Sequence, residues 1–404
     1  MPDPDATSRL DGAASDAGRP ETQPQPLVPG AGAEPGHFVP FLQAAALAFL
    51  GLLALGAVFV VALKAQFPDV GAGSDPIDVL TSIVILALAT LRVPIHVGEL
   101  TFTVLPLGAL AAFGAVVMWS CHSAVRAAPP RRSFIVGGVF GLIAMVAALV
   151  FRFRFKQDPI YAGSVGALLL GVVWTGAFAA LSFASEGTSL RGVVVDLRDG
   201  LASRRPVVYE GVRAGAMMLA LVALGAAAAG LVWAIVVLAR GGGPQNLDVG
   251  DLFAALVYLI AFAPNLVVMV MAVSLGAPVD IGAGLTLAGR VRGNVRELSV
   301  FDGGGALWLL MAIPAAACTT VGYWARKNTA DAKGMVVVIV TAATVFACCL
   351  GLLAWLGEAR LGAKLASARG FGLIAARPWA VLLMGWLWAV VGGAAGWTIA
   401  ERRR

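Results

Sequence analysis

Uninterrupted apolar runs leave this chain few ways to fold. Several of them exceed twenty residues without Asp, Glu, Lys or Arg, which is enough for a helix to cross the ~30 Å hydrocarbon core of a bilayer. Only 13% of the 404 residues are charged, whereas about a quarter are charged in soluble domains. The sequence therefore predicts an all-α fold, a polytopic bundle of transmembrane helices.

The charge-free windows predict about ten spans, of which the second is doubtful. Only thirteen uncharged residues separate Asp78 from Arg92, and a crossing needs ~20 apolar residues. If this segment re-enters the membrane on the side from which it came, nine spans remain. Both alternatives stay open at this point.

Composition predicts four regions along the chain. Residues 1–38 are acidic and rich in Pro, Gly and Ala, so we expect a disordered tail. Residues 39–185 hold the first five spans, residues 186–210 form an interfacial connector of mixed charge, and residues 211–404 hold the second five spans.

Two stretches of similar sequence lie between the second and third spans of the two halves, and we call this repeated segment the echo. They are "RVPIHVGELTFT" (92–103) and "GAPVDIGAGLTLA" (276–288). Five spans per half would turn the second half upside down, because an odd number of crossings ends on the opposite side. The echo thus predicts a 5+5 inverted repeat, a common transporter architecture, with the two stretches on opposite membrane faces.

Polar and helix-breaking residues near the echo are the candidate cavity or interaction residues. Inverted-repeat transporters bind substrate near broken helices, and Pro264 interrupts the seventh span by removing a backbone hydrogen bond. The alternatives are an ordinary kink stabilised by Asn265, and solvated loop residues in the echo. The candidates are Pro94, His96, Gly98, Glu99, Pro264, Asn265, Pro278 and Asp280.

The sequence contains no motif typical of an enzyme. There is no Walker loop, no GxSxG, no HExxH and no Cys/His ligand spacing. We therefore predict no catalysis, no cofactor and no metal site. The net charge of +6 suits contact with anionic lipid head groups, so the lipid bilayer is the predicted partner and nucleic acid is not.

Three stretches carry a resemblance to a known group of proteins. They are "VPIHVGELTFTVLPLG" (93–108), "EGVRAGA" (210–216) and "APNLVVMVMAVSLG" (263–276). In their order the chain resembles actinobacterial multi-pass proteins of unknown function, which include the mycobacterial cell-division-associated PerM proteins, and the related streptophobe proteins. It departs from them at "GAPVDIGAG" and the basic "RVRGNVREL" that follows, where that family tends to have a Gly-Pro-Gly-Phe-like turn.

The resemblance implies a multi-pass protein of the bacterial plasma membrane. It further implies a non-enzymatic role in supporting cell-envelope or cell-division complexes through helix contacts, with other proteins of the envelope or divisome as partners. A transporter of small solutes or ions, built on the inverted repeat, is the alternative. The absence of charged residues near the centre of the longer spans argues against ion coupling.

Overall fold

The computed structural model describes eleven segments of the chain. They are residues 38–66, 75–125, 132–155, 158–184, 202, 205–237, 249–287, 290–298, 307–328, 332–365 and 368–403. The predictions for the acidic tail and for most of the connector fall outside these residues.

Ten α-helices form the bundle within the described segments, and nine of them are long and apolar enough to cross a membrane. The predicted all-α polytopic bundle is therefore confirmed. The helices are α1 (Val39–Gln66), α2 (Pro76–Ala89), α3 (Leu107–Ala124), α4 (Ser133–Val150), α5 (Ser164–Ala184), α6 (Pro206–Val237), α7 (Val249–Ser274), α8 (Ala312–Asn328), α9 (Ala332–Leu356) and α10 (Pro378–Arg402).

Within the described residues four β-hairpins connect these helices, and the sequence did not predict them. They follow α2, α4, α7 and α9, and their eight strands form one antiparallel sheet in the order β3-β4-β1-β2-β7-β8-β5-β6. The strands are β1 (Ile95–Val97), β2 (Leu100–Thr103), β3 (Phe153–Phe155), β4 (Asp158–Ala162), β5 (Val279–Leu287), β6 (Arg290–Leu298), β7 (Ala359–Leu365) and β8 (Ala368–Ala376).

The sheet shows that the two halves have the same orientation. Strands β1 to β4 of the first half lie in the order β3-β4-β1-β2, and the equivalent strands of the second half repeat it as β7-β8-β5-β6. In an inverted repeat, equivalent hairpins lie on opposite membrane faces, but here β2 pairs directly with β7. The predicted inverted repeat is therefore wrong, and the halves form a parallel repeat.

The physical reason is that α2 and α7 both end inside the bundle. The indole Nε1 of Trp174 donates to the carbonyl of Leu91 at 3.2 Å, and that of Trp388 donates to the carbonyl of Leu275 at 3.1 Å. Each tryptophan lies ten residues into a helix that begins beside the sheet, which is roughly 15 Å along that helix. The chain then returns to the side of the sheet.

Each half therefore crosses the membrane four times and contains one re-entrant helix. For α2 this is the alternative that the sequence left open. For α7 it was not expected, because this helix has 26 residues and the hydropathy of a full span. An even number of crossings keeps the second half in the orientation of the first.

Each half has its own hydrophobic core. In the first half Phe113 packs on Phe140 with ring centroids 5.4 Å apart, and in the second half Met218, Phe346 and Leu350 lie in one cluster. Leu107 contacts both cores. We call the interface between the two halves the seam. The N-terminus of α3 lies at this seam.

Candidate functional site

Two equivalent turns, at the inner ends of α2 and α7, are the most distinctive local structures of the bundle. We call Thr90–Pro94 turn 1 and Ser274–Pro278 turn 2. Arg92 has φ 68° and Gly276 has φ 81°, which is the left-handed conformation that often ends a helix. The hydroxyl of Thr90 donates to the carbonyl of Ala87 at 2.6 Å, and that of Ser274 donates to Met271 at 2.8 Å. The echo in the sequence thus corresponds to one structure used twice.

The prolines of the echo attach each turn to the next hairpin and helix. The carbonyl of Pro94 accepts the amide of Gly163 at 2.9 Å, directly before α5, and the carbonyl of Pro278 accepts the amide of Arg377 at 3.3 Å, directly before α10. Both prolines are half-buried. Their role in the described structure is to position the backbone.

Turn 2 is followed by a half-buried ion pair. Asp280 of β5 accepts two hydrogen bonds from Arg377, from Nε and from Nη2, each at 2.9 Å. Arg377 also contacts the carboxylate of Glu297 on β6. These hydrogen bonds raise the pKa of Arg377, and the bidentate geometry fixes β5 to the start of α10.

Turn 1 carries uncharged groups at the same two positions. His96 takes the place of Asp280, and Gly163 takes the place of Arg377. The Nδ1 of His96 lies 3.1 Å from the hydroxyl of Thr101, and its ring stacks on Tyr161 with centroids 4.8 Å apart. Burial lowers the pKa of His96, so the imidazole is neutral at pH 7.

A buried charge cluster crosses the seam between the halves. Arg92 of turn 1 contacts Glu358, which directly precedes β7, with Nη2 3.5 Å from Oε2. Its guanidinium carbon lies 4.4 Å from the ring centre of Trp355. Glu358 also binds Arg360 at 2.7 Å. The side chains of Arg92 and Glu358 are only 11% and 6% exposed, so the carboxylate compensates a charge that is largely shielded from water.

Asn265 of α7 forms the second link across the seam. Its Oδ1 accepts the amide of Leu107, the first residue of α3, at 2.9 Å. Its Nδ2 donates to the carbonyl of Leu105 at 2.8 Å and, more weakly, to that of Gly357 at 3.5 Å. The preceding residue, Pro106, provides no side-chain cap for α3, so Asn265 caps this helix from the other half.

Pro264 explains why α3 and α7 approach so closely. A proline cannot donate to the carbonyl four residues earlier, which here is that of Ile260. This oxygen would lie 2.0 Å from a Cβ placed on Gly108. Only a glycine leaves room for the backbone of α3 at this point.

The sequence-predicted residues do not form one cavity. Gly98 (φ 56°) and the exposed Glu99 form the β1–β2 turn. His96 in β1 and Asp280 in β5 lie four strands apart in the sheet, or roughly 19 Å at ~4.8 Å per strand. Asn265 lies at the seam. The structure therefore separates the eight candidates into three places: turn 1 with the β1–β2 hairpin, turn 2 with strand β5, and the link at Pro264 and Asn265.

Several important residues were not among the predicted ones. Arg92 begins the stretch at 92–103, but Glu358 is 266 positions further on and no motif links the two residues. Trp174 and Trp388 were not singled out, although each lies eleven residues after the residue that binds its turn's proline. A search for the second echo, at positions 163–174 and 377–388, would have found this pair.

We expect that the pair His96→Asp and Gly163→Arg introduces into turn 1 the ion pair of turn 2. A Cβ on Gly163 would lie 3.7 Å from the carbonyl of Pro94 and 3.8 Å from Nε2 of His96, so a side chain fits there. His96→Asp alone should destabilise the fold by about 1–3 kcal/mol, because it leaves a half-buried carboxylate without a cation. Thermal unfolding of both single variants and the double variant in detergent measures their coupling, expected at about 1–3 kcal/mol. A coupling of zero would contradict the structural equivalence of the turns.

Within the described residues there is no group of three or more His, Cys, Asp or Glu side chains that could hold a metal ion. Comparison of the chain with protein-family models, with curated proteins and with solved structures finds no match.

Proposed function

We propose that this integral membrane protein is a non-enzymatic scaffold that supports cell-envelope or cell-division complexes in the bacterial plasma membrane. Its partners would be other membrane proteins, bound through exposed helix surfaces. Nine apolar helices require a lipid bilayer. The finer role rests on the sequence resemblance and on the state of the seam.

The closed seam is the observation that favours a scaffold over a carrier. A carrier needs polar groups that are open to water on the substrate path. At the seam both polar atoms of Asn265 bind backbone groups of the other helices, and Glu358 binds two arginines. The carbonyls at the inner ends of α2 and α7 accept hydrogen bonds from tryptophan indoles. Groups that would bind a substrate are thus used in contacts within the protein, and those of Asn265 and of Arg92 with Glu358 join the two halves.

A solute carrier is the second candidate, and the paired re-entrant helices favour it. Helices that end inside the membrane are typical of transporters, where their ends line the substrate site. Such a carrier would be built on a parallel repeat, since the inverted repeat is wrong. It would also require a second state, in which the seam opens to water.

Thiol labelling of the seam distinguishes the two functions. Leu105 is fully buried beside Asn265, and Leu105→Cys in a background without Cys121, Cys318, Cys348 and Cys349 provides the probe. A scaffold predicts no reaction with a membrane-impermeant thiol reagent added to either side. The control is Glu99→Cys in the exposed β1–β2 turn, which should react from one side. Reaction of Leu105→Cys would contradict the closed scaffold and support the carrier.

Deletion of the gene in the bacterium that encodes it tests the role in the cell. The scaffold predicts filamentation or lysis, restored by the wild-type gene. A specific solute phenotype with normal cell shape would contradict the proposal.

A further inference from the structure

The sheet has two chemically different faces. Residues directly opposite each other on neighbouring strands project from the same face, and Phe102 lies opposite Ile95, Leu100 opposite Val97, and Ile374 opposite Ile281. The register through β7 and β8 places these pairs on one side. We define this apolar face by Ile95, Val97, Leu100, Phe102, Ile160, Ile281 and Ile374.

The other face is mostly polar where side chains are described. His96 lies opposite Thr101 and Tyr161, Thr103 lies opposite Arg360, and Asp280 lies opposite Glu297. Leu373 is a half-buried exception. Alternation of this kind is typical of a sheet with one face in water and the other in an apolar environment.

The apolar face is not covered by the described part of the chain. Leu100 and Phe102 are 37% and 38% exposed, and Ile281 and Ile374 are 42% and 49% exposed. Contiguous apolar surface of this kind usually marks a contact with a membrane or with a partner.

The position of this face relative to the bilayer indicates which contact it makes. Pro94 and Pro278 are hydrogen-bonded to the residues just before α5 and α10, and Val97 and Ile281 follow these prolines by three residues. At ~3.3 Å per residue they lie roughly 10 Å above the helix starts. Phe102, opposite Ile95, lies closer still.

Helix α6 shows that apolar surface on the same side of the membrane continues to the height of Val97 and Ile281. Gly225 packs against Ile313 near the start of α8, and α6 runs on for twelve more residues, or roughly 18 Å. Leu231, Val232 and Trp233, in this last part of α6, are each at least 60% exposed. Lipid that covers the end of α6 reaches the height of the apolar face.

We propose that the apolar face of the sheet lies against the lipid acyl chains of the leaflet from which the hairpins rise. The base of the sheet is then embedded in the membrane interface, while its polar face is in water or in contact with protein. Arg296, exposed at the edge strand opposite Ile281, lies where lipid phosphates would bind it. This lipid contact is independent of the proposed function.

Adjacent residues on opposite faces give a matched test. Spin labels on Phe102→Cys and Ile374→Cys report on the apolar face, and labels on Thr101→Cys and Leu373→Cys report on the polar face at the same height. The protein without its native cysteines is reconstituted in vesicles of phosphatidylcholine and phosphatidylglycerol. Collisions with oxygen, which is concentrated in lipid, are compared with collisions with a water-soluble nickel chelate. We expect oxygen to dominate at 102 and 374, and the nickel chelate to be relatively favoured several-fold at 101 and 373.

Two results would overturn the lipid contact. Equal access of the nickel chelate to both members of a pair would show that the apolar face is in water. Poor access of both reagents at 102 and 374 would show that protein covers the face, which in a purified sample is a second copy or another part of the same chain. If a labelled variant does not remain monodisperse, a label on Ile281→Cys reports on the same face and distinguishes lipid contact from water and from protein contact in the same way.

Discussion

Replacing Asn265 by leucine is expected to destabilise the protein by about 2–5 kcal/mol, since two buried backbone groups lose their partners. The amide of Leu107 and the carbonyl of Leu105 lie at the seam, where water does not replace the lost hydrogen bonds. Each such group costs about 1–3 kcal/mol when it is left unsatisfied. The measurement is thermal unfolding of the purified protein in detergent, monitored as the loss of the monodisperse species.

The matched control for Asn265 is Thr81, at the corresponding position of the first re-entrant helix. Thr81 is also buried, but its hydroxyl bonds only to the carbonyl of Ile77 in its own helix, at 2.8 Å. Thr81→Val should therefore cost no more than about 1 kcal/mol. If Asn265→Leu and Thr81→Val shift the unfolding temperature equally, the link through Asn265 does not hold the halves together.

Glu358→Gln is expected to have the second large effect, a loss of about 3–5 kcal/mol, because it leaves the buried Arg92 without its carboxylate. The exposed partner matters much less. Arg360 is 65% exposed, and Arg360→Gln should change the stability by less than about 1 kcal/mol. Unfolding in detergent again provides the measurement.

A double variant tests whether the loss arises from the uncompensated charge. Arg92→Gly removes the guanidinium and gives turn 1 the residue that turn 2 has at this position, Gly276. It also relieves the left-handed conformation of a non-glycine residue, which costs about 1 kcal/mol or more. Arg92→Gly combined with Glu358→Gln should therefore be more stable than Glu358→Gln alone. A double variant as unstable as the single one would rule out this electrostatic explanation.

The sequence predicted those features that depend on local composition. Apolar runs located the helices, so that the first five-span half, expected to begin at residue 39, begins with α1 at Val39–Gln66. The echo correctly identified two equivalent segments, and Pro264 and Asn265 lie at a structurally important contact.

What the sequence could not predict depends on distant contacts. The depth at which α7 ends is set by Trp388 on another helix, and hydropathy contains no information about it. Counting α2 and α7 as crossings gave an odd number per half, which produced the wrong orientation for the second half. The hairpins were missed because their strands are short or rich in glycine and pair across the whole chain, as Phe102 does with Leu361.

The way in which the two four-stranded units join has a consequence for the origin of the molecule. Strand β2 of the first half meets β7 of the second, whereas a twofold junction would pair β2 with its own equivalent, β6. Such a head-to-tail junction leaves two free edge strands: β3, which is the equivalent of β7, and β6, which is the equivalent of β2. An ancestral single half could therefore add copies without limit or close into a ring. In the fused chain the residues that join the halves are not repeated at the free ends. Gly276 stands in the place of Arg92, and Arg152, just before β3, stands in the place of Glu358. The contacts that join the two halves are therefore absent at the two free edges, which limits this head-to-tail pairing to two units.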